Sequence, residues 1–337
     1  MAPESLLVSR TDRAGDLLLT MAVFRELRKA FPDSRIVAHV RSYTAPLARL
    51  VKEIDALIVD DEHAPGFFST GLANAFKEYR FACCVMVHPA GRALLAAWRA
   101  GIPKRIGRAS NAFQLLLNDR RVQKRSRNEK HEYQYNLDLL QGLVNDIDYA
   151  PWHFTPEPDL CERGRAARER VGLNNCHPVI IHPGHGGSAH NISTSMYAAI
   201  VSELIKMQIP VLVSLGPGEE KLKEAFPEPV SGLLGFAEGI PDLAELAGVF
   251  SGCAGFCGGS TGPLHLAAAL GLPCAAFFPP VAAMTPKRWG PAGCRSLIIK
   301  PEIADCNGRC TTCTQNGCMN KLEIHQATEW LAMEQRK

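Results

Sequence analysis

The sequence predicts an α/β protein with two halves, each a parallel sheet covered by helices on both faces. Short apolar runs of strand length alternate with longer amphipathic runs of helical period, and this alternation indicates parallel sheets. The alternation pauses at a Pro-containing stretch, residues 151–158, and then begins again. A chain of 337 residues is also too long for one ordinary domain and suits two. Residues 1–155 and 156–320 are therefore predicted to form two Rossmann-like domains with a cleft between them.

The first half contains four runs of strand length, at residues 6–9, 35–40, 56–59 and 82–87. Four longer runs have helical period, at residues 15–31, 42–52, 72–79 and 132–143. The first of these helices is expected to stop at Pro32, because proline cannot continue a helix.

The second half repeats the pattern. Strands are predicted within "HPVIIHPG", "PVLVSLGPG", "GCAGFCGGSTG" and "PCAAFF", and helices over residues 193–206, 243–250 and 263–270. Pro263 at the start of the last helix and Gly271 just beyond its end are the residues that favour those positions. Residues 321–337 are predicted to form a terminal helix.

The composition excludes several classes of protein. Hydrophobic residues make up 46% of the chain and charged residues 21%, which is the balance of a globular protein. A net charge of +3 is too small for bulk binding of nucleic acid. No apolar run approaches the length of about 18 residues expected of a transmembrane helix, and "MAPESLLVSR" lacks the pattern of a signal peptide. Most of the twelve cysteines lie in apolar surroundings, as reduced thiols do in a cytosol.

One segment is strongly basic. Between residues 104 and 130, nine lysines and arginines face only Asp119 and Glu129. This run is either a solvated face or a docking surface for an anionic partner.

Three loops at strand ends carry the candidate chemistry, because ligands of parallel sheets bind beyond the carboxyl ends of the strands. The first contains Asp16, the second is "HPGHGGSAHN" at residues 182–191, and the third is "GGSTGPLH" at residues 258–265. The last two are rich in small residues and precede helices, a composition that lets backbone N–H groups approach a phosphate. Ser188, Ser260 and Thr261 add hydroxyl donors.

Two further residues suit a nucleotide. Glu219 follows another strand, where its carboxylate could accept the hydroxyls of a ribose. His265 lies one turn into the helix behind "GGSTG" and could donate to a phosphate or pack on the nucleotide. By contrast, His39 and His88 alternate with apolar strand residues and are predicted to be satisfied polar groups near the core.

Alternatives stay open for three features. Asp16 is either a catalytic carboxylate or the cap of a helix. The pattern "GGSTG" also fits a hydrolase nucleophile elbow with Ser260 as nucleophile and Asp305 and His325 as its partners. Four cysteines near the C-terminus are either a reduced, loop-stabilising cluster or a tetrahedral zinc site: Cys306, Cys310, Cys313 and Cys318.

Five segments together resemble a known family. They are "LLVSRTDRAGDLLLTMAVFRELRKAFPDSRI", "AGIPKRIG", "HEYQYNLDLL", "IIHPGHGGSAHN" and "GGSTGPLHLAAALGLP" with "RWGP". In order and spacing they resemble the ADP-heptose:lipopolysaccharide heptosyltransferases, glycosyltransferase family 9, from about residue 6 to residue 318. The resemblance implies a GT-B fold of two Rossmann-like domains, with the helix at 321–337 packing back on the first domain.

The resemblance also implies an activity. It is an inverting transfer of heptose from ADP-heptose to the anionic lipopolysaccharide inner core, without a metal or other cofactor. The protein would be cytoplasmic, peripheral on the inner membrane, and would bind no nucleic acid.

The family's motifs fall on particular residues of this chain. Asp16 of "GD" falls on the catalytic base, which takes the proton of the acceptor hydroxyl. On the donor side, the diphosphate falls at Ser188, Thr261, Gly262 and His265, the ribose at Glu219 and the adenine near Ile240. The predicted acceptor contacts are basic residues of the first domain: Arg10, Arg13, Arg120, Arg121 and Arg125.

The chain departs from the family at two donor positions. Many members carry Lys or Arg at the position of His190, where a neutral histidine is a weaker phosphate partner. Many also carry Asp at the position of Ser260, which is close to the donor sugar. These departures leave the identity of the sugar open and support one rival, a catalytically silent protein that binds nucleotide sugars.

Overall fold

A computed structural model of the chain describes residues 3–62, 66, 68, 70–110, 112–185, 190–303, 306 and 317–336. The chain divides into two units, Met1–Trp152 and His153–Lys337. This division lies close to the predicted boundary at 155/156.

Within its described residues, the first unit contains a six-stranded parallel sheet in the order β3-β2-β1-β4-β5-β6. The strands are β1 (Ser5–Ser9), β2 (Arg35–Val40), β3 (Ala56–Val59), β4 (Cys83–Met86), β5 (Lys104–Arg108) and β6 (Asp119–Arg121). The helices are α1 (Ala14–Leu18), α2 (Met21–Ala30), α3 (Ala45–Ala48), α4 (Gly71–Glu78), α5 (Gly91–Arg99) and α6 (Glu132–Leu137).

The described part of the second unit repeats this topology, with the order β12-β11-β10-β7-β8-β9. The strands are β7 (Val179–His182), β8 (Val211–Ser214), β9 (Leu234–Ala237), β10 (Gly255–Gly259), β11 (Cys274–Phe277) and β12 (Ser296–Ile299). The helices are α7 (Pro158–Arg170), α8 (Thr194–Lys206), α9 (Leu243–Ser251), α10 (Gly262–Ala269), α11 (Pro286–Trp289) and α12 (His325–Gln335).

The alternation of side chains along β1 explains why its sheet is covered on both faces. Leu6 and Val8 point into one apolar core, and Leu7 points into a second core on the opposite face. All three side chains are fully buried, and each contributes about 2 kcal/mol through the removal of apolar surface from water. The predicted class, α/β with two Rossmann-like units, is confirmed.

The helix predicted over residues 15–31 is in fact two helices, because α1 ends at Leu18 and α2 begins at Met21. At the break, the Thr20 hydroxyl donates to the carbonyl oxygen of Asp16, 2.9 Å away, and the side chain of Asn136 donates to the carbonyl oxygen of Leu19 at 3.0 Å. Side-chain hydrogen bonds of this kind compete with those of a continuous helix.

Two other predicted helices are shorter than expected. The region 42–52 forms a 3-10 turn, Ser42–Thr44, followed by the four residues of α3. The region 132–143 forms α6 and a 3-10 turn, Asp138–Leu140. The sequence patterns did not reveal β5, β6, β9, β12, α5, α7 and α11.

The last helix, α12, packs on α8 and on β10, β11 and β12 of the second unit. Its buried residues Ala327, Leu331 and Ala332 belong to that unit's core. The contacts described for this helix are thus with its own unit, and the packing of residues 321–337 on the first domain stays a prediction. In the described part of the chain, no helix combines the length and the apolar character needed to cross a bilayer.

Candidate functional site

Both sheets have a topological switch point, where the order of the strands reverses. It lies between β1 and β4 in the first unit and between β7 and β10 in the second. Ligands of doubly wound sheets bind outside the carboxyl ends of the strands at such points. The residues that follow these four strands are therefore the candidate site residues in each unit.

In the first unit, one arginine holds two carboxylates beyond the end of β1. Arg10 is 4% exposed; its Nε donates to Asp12 at 2.7 Å and its Nη2 donates to Asp16 at 2.5 Å. Its backbone N–H donates to the carbonyl oxygen of His39 at 2.9 Å. The Asp16 carboxylate is thereby fixed in orientation while its side chain stays 19% exposed.

The surroundings of Asp16 shift its proton affinity. Burial raises the pKa of Asp16 to about 6, and the charges of Asp12 and Glu132 add to this rise, whereas Arg10 opposes it. A carboxylate with that pKa is mostly ionised at neutral pH and is a stronger base than an ordinary aspartate. A strongly shifted pKa at a strand end is typical of functional groups.

The capping interpretation of Asp16 does not match the helix geometry. The N-cap position of α1 is Arg13, and Asp16 lies within the first turn. The Asp16 carboxylate is engaged by the guanidinium of Arg10.

A histidine follows β4 on the other side of the switch point. His88 lies with its Nδ1 3.4 Å from the carboxylate of Asp12, and its side chain is 44% exposed. Burial lowers the pKa of His88, Asp12 raises it, and Arg10 and Arg108 lower it further. The prediction of a near-core position for His88 is wrong. Its place directly after a buried strand is the sequence signal that could have identified it as a candidate site residue.

His39 does have the predicted core position. It is fully buried, with Nδ1 2.9 Å from the hydroxyl of Ser9 and Nε2 2.9 Å from the carboxylate of Asp60. Asp60 also pairs with Arg92.

The predicted acceptor arginines differ in their surroundings. Arg13 and Arg120 are exposed, whereas Arg121 is half-buried and bonds to Asp119 at 3.0 Å and to the carbonyl oxygen of Gln141 at 2.5 Å. Arg10 is engaged by the two carboxylates described above.

The surroundings of Arg125 contradict its predicted role as an acceptor contact. It is buried, and its Nη1 forms an ion pair with the equally buried Glu132. An arginine whose charge is satisfied in the interior is not an exposed cation for an anionic acceptor. The basic run misled because the sequence gives no sign that Glu132 folds back onto it.

In the second unit, the loops after β7 and β10 are neighbours. Gly258 is in register with His182 across the two strands. His182 is buried, and its Nδ1 donates to the carbonyl oxygen of Ser214 at the end of β8, 2.9 Å away. Gly259 packs on Asn191, whose side chain would lie 2.9 Å from a Cβ at that position. Only glycine leaves room for this approach of the two loops.

The turn "GGSTG" leads directly into α10. Thr261 is the N-cap residue, Gly262 is the first helical residue, and Ser260 precedes them at the strand end. His265, in the first turn, is buried. Ser260, Thr261, Gly262 and His265 thus lie at the start of α10 or just before it, and their role in donor binding stays a prediction. His190 is exposed in the neighbouring loop, and Ser188 lies outside the described residues.

Glu219 joins the loops after β7 and β8. Its Oε2 accepts from the N–H of Gly216 at 2.8 Å, and its carboxylate lies so close to Gly184 that a Cβ there would be 2.0 Å from Oε1. Ile240, just after β9, lines a pocket of 410 Å³ with Phe236 and Val171. The loops after β10, β7, β8 and β9 therefore follow one another along a single edge of the sheet.

The hydrolase alternative finds no support in this geometry. His325 lies in the exposed first turn of α12, with Nδ1 3.3 Å from the carboxylate of Glu323. Asp305 lies outside the described residues.

Metal ligation is not apparent in the described part of the chain, where no group of three or more His, Cys, Asp or Glu side chains could hold an ion. Cys306 and Cys318 are both partly buried, and Cys310 and Cys313 lie outside the described residues.

Comparisons with known proteins identify the family. Residues 73–320 match the model of glycosyltransferase family 9 (heptosyltransferase). A Haemophilus influenzae protein named as a glycosyltransferase is 31% identical over 307 residues, which is 86% of each chain.

Solved structures share the fold, including its GT-B class. A glycosyl transferase family 9 protein from Veillonella parvula has a TM-score of 0.82 at 19% identity, over 98% of both chains. The ADP-heptose lps heptosyltransferase II of E. coli has a TM-score of 0.79 at 18% identity, over 99% of this chain and 98% of that one. This protein is a glycosyltransferase and belongs to family 9.

Proposed function

We propose that the protein is an inverting, metal-independent glycosyltransferase that moves heptose from ADP-heptose to an anionic acceptor of the lipopolysaccharide inner core. Asp16 is the general base. The observation that carries this proposal is the partly exposed Asp16 carboxylate beyond β1, oriented by Arg10, with a pKa raised to about 6.

Inverting transfer is a single displacement. The acceptor oxygen attacks the anomeric carbon of the donor sugar from the face opposite the diphosphate. The bond from that carbon to the diphosphate breaks, ADP leaves with the electron pair, and the acceptor's proton passes to Asp16. A base with a pKa near 6 is ionised at neutral pH and still basic enough to take this proton as the new bond forms.

The donor is bound by the second unit in this proposal. The diphosphate contacts Ser188 and the turn at Ser260, Thr261 and Gly262, with His265 behind it. Backbone N–H groups at the start of α10 and the dipole of that helix favour the negative charge of the leaving group. These donors do the work that a metal ion does in other transferases.

The nucleoside is bound at the adjacent loops. The carboxylate of Glu219 accepts hydrogen bonds from the ribose hydroxyls, and the adenine lies in the apolar pocket at Ile240. Many family members carry Lys or Arg at the position of His190 and Asp at the position of Ser260. The identity of the donor sugar therefore needs an experiment of its own. A thermal-shift panel of ADP-, GDP- and UDP-linked sugars ranks the donors, because a ligand that binds the folded state stabilises it by mass action.

The acceptor is bound by the first unit. Arg13 and Arg120 are exposed there, and Arg121 is partly exposed, which suits a phosphorylated core sugar. We also propose that the enzyme is cytoplasmic and works peripherally at the inner membrane, where this acceptor is made.

The test is the formation of product from ADP-heptose and a deacylated core acceptor. Asp16→Asn keeps the shape of the side chain and removes the base, so turnover should fall by roughly two to four orders of magnitude. Calorimetry should give wild-type affinity for ADP. Asp146→Asn, an exposed control in the same unit, should behave like wild type.

Two results would contradict the proposal. Turnover close to wild type in Asp16→Asn would exclude Asp16 as the base. ADP binding without any product in the wild type would favour a silent nucleotide-sugar-binding protein.

A further inference from the structure

We propose that Asn136 and the buried Arg125–Glu132 pair are positioning residues for Asp16, holding its helical turn and its local charge from the side of α6. This inference rests on the proposed function, since it concerns the base of that reaction. None of the three residues touches the reacting atoms in this proposal.

A chain of hydrogen bonds connects Asn136 to the backbone of Asp16. Asn136 Nδ2 donates to the Leu19 carbonyl oxygen at 3.0 Å and to Thr20 Oγ1 at 3.4 Å. Thr20 Oγ1 in turn donates to the Asp16 carbonyl oxygen at 2.9 Å. Asn136 and Thr20 are both fully buried, so no water competes for these bonds. These hydrogen bonds end α1 at Leu18. They also fix the orientation of its single helical turn, which carries Asp16.

Arg125 fixes the orientation of the Asn136 amide. Its Nη2 donates to Asn136 Oδ1 at 3.4 Å, which leaves Nδ2 directed to Leu19. Arg125 itself is held by Glu132 and by Gln123, whose Oε1 accepts from Nε at 2.8 Å. Its guanidinium also lies 5.5 Å from the ring centroid of Tyr135.

Glu132 adds an electrostatic contribution. The charged groups that act most strongly on Asp16 among the described residues include Arg10 and Asp12 from the β1 loop and Glu132 from α6, and the phenol of Tyr43 interacts with the carboxylates of Asp12 and Asp16. Two further groups act through these acids: His88 lies 3.4 Å from the carboxylate of Asp12, and Arg125 pairs with Glu132. The negative charge of Glu132 raises the pKa of Asp16. Loss of that charge, with Arg125 left in place, lowers the pKa.

The decisive experiment measures the pKa of Asp16 by NMR titration of the enzyme with ¹³C-labelled aspartate carboxyl groups. The Asp16→Asn variant identifies the signal. Glu132→Gln should lower the Asp16 midpoint, because a negative charge that raises the pKa of Asp16 is lost.

Glu26→Gln is the matched control. Glu26 is as buried as Glu132, lies in the same unit and pairs with Arg25 at 2.8 Å. It should lower the melting temperature and leave the Asp16 midpoint unchanged. If Glu132→Gln does not fold, the double variant Arg125→Met, Glu132→Gln removes the pair together. It should lower the midpoint by less than the loss of Glu132 alone would, because the positive charge of Arg125, which acts in the opposite sense, is lost with it.

Asn136→Leu tests the hydrogen-bond chain at nearly constant volume. It should lower kcat about tenfold with the KM of both substrates within about twofold, because misplacement of a base affects the transition state and not ground-state binding. Thr20→Ser, which keeps the hydroxyl, should retain wild-type kcat, whereas Thr20→Val should resemble Asn136→Leu.

An Asp16 midpoint that does not move in Glu132→Gln, or moves equally in Glu26→Gln, would overturn the electrostatic part. Wild-type kcat in Asn136→Leu would overturn the positioning part. The titration needs no turnover, so an active Asp16→Asn variant would defeat the proposed function without altering the NMR result.

Discussion

Arg10 and Asp16 form a 2.5 Å ion pair in which the guanidinium is almost fully buried and the carboxylate keeps a fifth of its surface exposed. The same guanidinium binds Asp12 at 2.7 Å. One positive charge therefore faces two carboxylates, and burial dominates the balance at Asp16, whose pKa rises to about 6. The site holds a carboxylate that is oriented by a cation and remains basic.

The pH dependence of the reaction should follow Asp16. Below about pH 6 the carboxylate is protonated and cannot accept a proton, so kcat/KM should fall about tenfold per pH unit on the acid side. Arg10→Met removes the charge that lowers the pKa of Asp16 and leaves the burial, Asp12 and Glu132 unopposed. The acid limb should therefore move above pH 6 in this variant.

Arg49→Met is the control for that shift, because Arg49 is an exposed arginine of the same unit. Its pH profile should coincide with that of the wild type. An acid limb that stays in place in Arg10→Met would show that another group titrates in this range.

Stability should depend on pH through the same group. The pKa of Asp16 is about 6 in the folded state and near 3.9 in an unfolded chain, so the folded state takes up the proton first as the pH falls. The wild type should gain about 1 kcal/mol of unfolding free energy relative to Asp16→Asn between pH 8 and pH 5. Chemical denaturation of both proteins at the two pH values measures the difference. A difference that is constant with pH would contradict the raised pKa.

The sequence patterns located much of the fold because its central strands are continuous apolar runs. The strands β2 and β3 were predicted with the observed bounds, at residues 35–40 and 56–59. β5 and β6 were missed because they lie toward one edge of the sheet within the basic run, and only Ile106 and Gly107 of their residues are buried. Polar edge strands do not carry the apolar signal on which such predictions depend.

The site was predictable where it depends on position along the chain and not where it depends on long-range contacts. Asp16 and the turn at Ser260 lie just beyond buried strands, which the sequence indicates directly. The burial of Arg125 depends on Glu132, and the break after α1 depends on Asn136, which contacts Leu19 across 117 positions of the sequence. No local pattern reports such contacts.

Donor binding should be sensitive to the one atom that Gly184 lacks. Gly184→Ala places a Cβ 2.0 Å from the Glu219 carboxylate and must displace it from the N–H of Gly216. If Glu219 binds the ribose, calorimetry should show about tenfold weaker ADP binding, a loss of about 1.4 kcal/mol. Gly218→Ala is the control in the next loop: its added Cβ meets open space, but its φ of +83° strains any other residue. It should lower the melting temperature and leave the affinity for ADP unchanged, whereas wild-type affinity in Gly184→Ala would exclude Glu219 from the nucleotide site.

Charge reversal should separate the exposed arginines from the buried one. Arg120→Glu replaces an exposed cation, so the acceptor KM should rise several-fold, most strongly at low salt, with the donor KM unchanged. Arg49→Glu, with the same change of charge elsewhere on the unit, should leave the acceptor KM unaltered. Arg125→Glu instead buries an acid beside Glu132 and should cost about 3–5 kcal/mol or more of folding free energy, as the loss of one partner of a buried pair does. The test measures the KM for the deacylated acceptor and the melting temperature of the three variants. An acceptor KM that rises equally in Arg120→Glu and Arg49→Glu would show that only net charge matters and that Arg120 does not contact the acceptor.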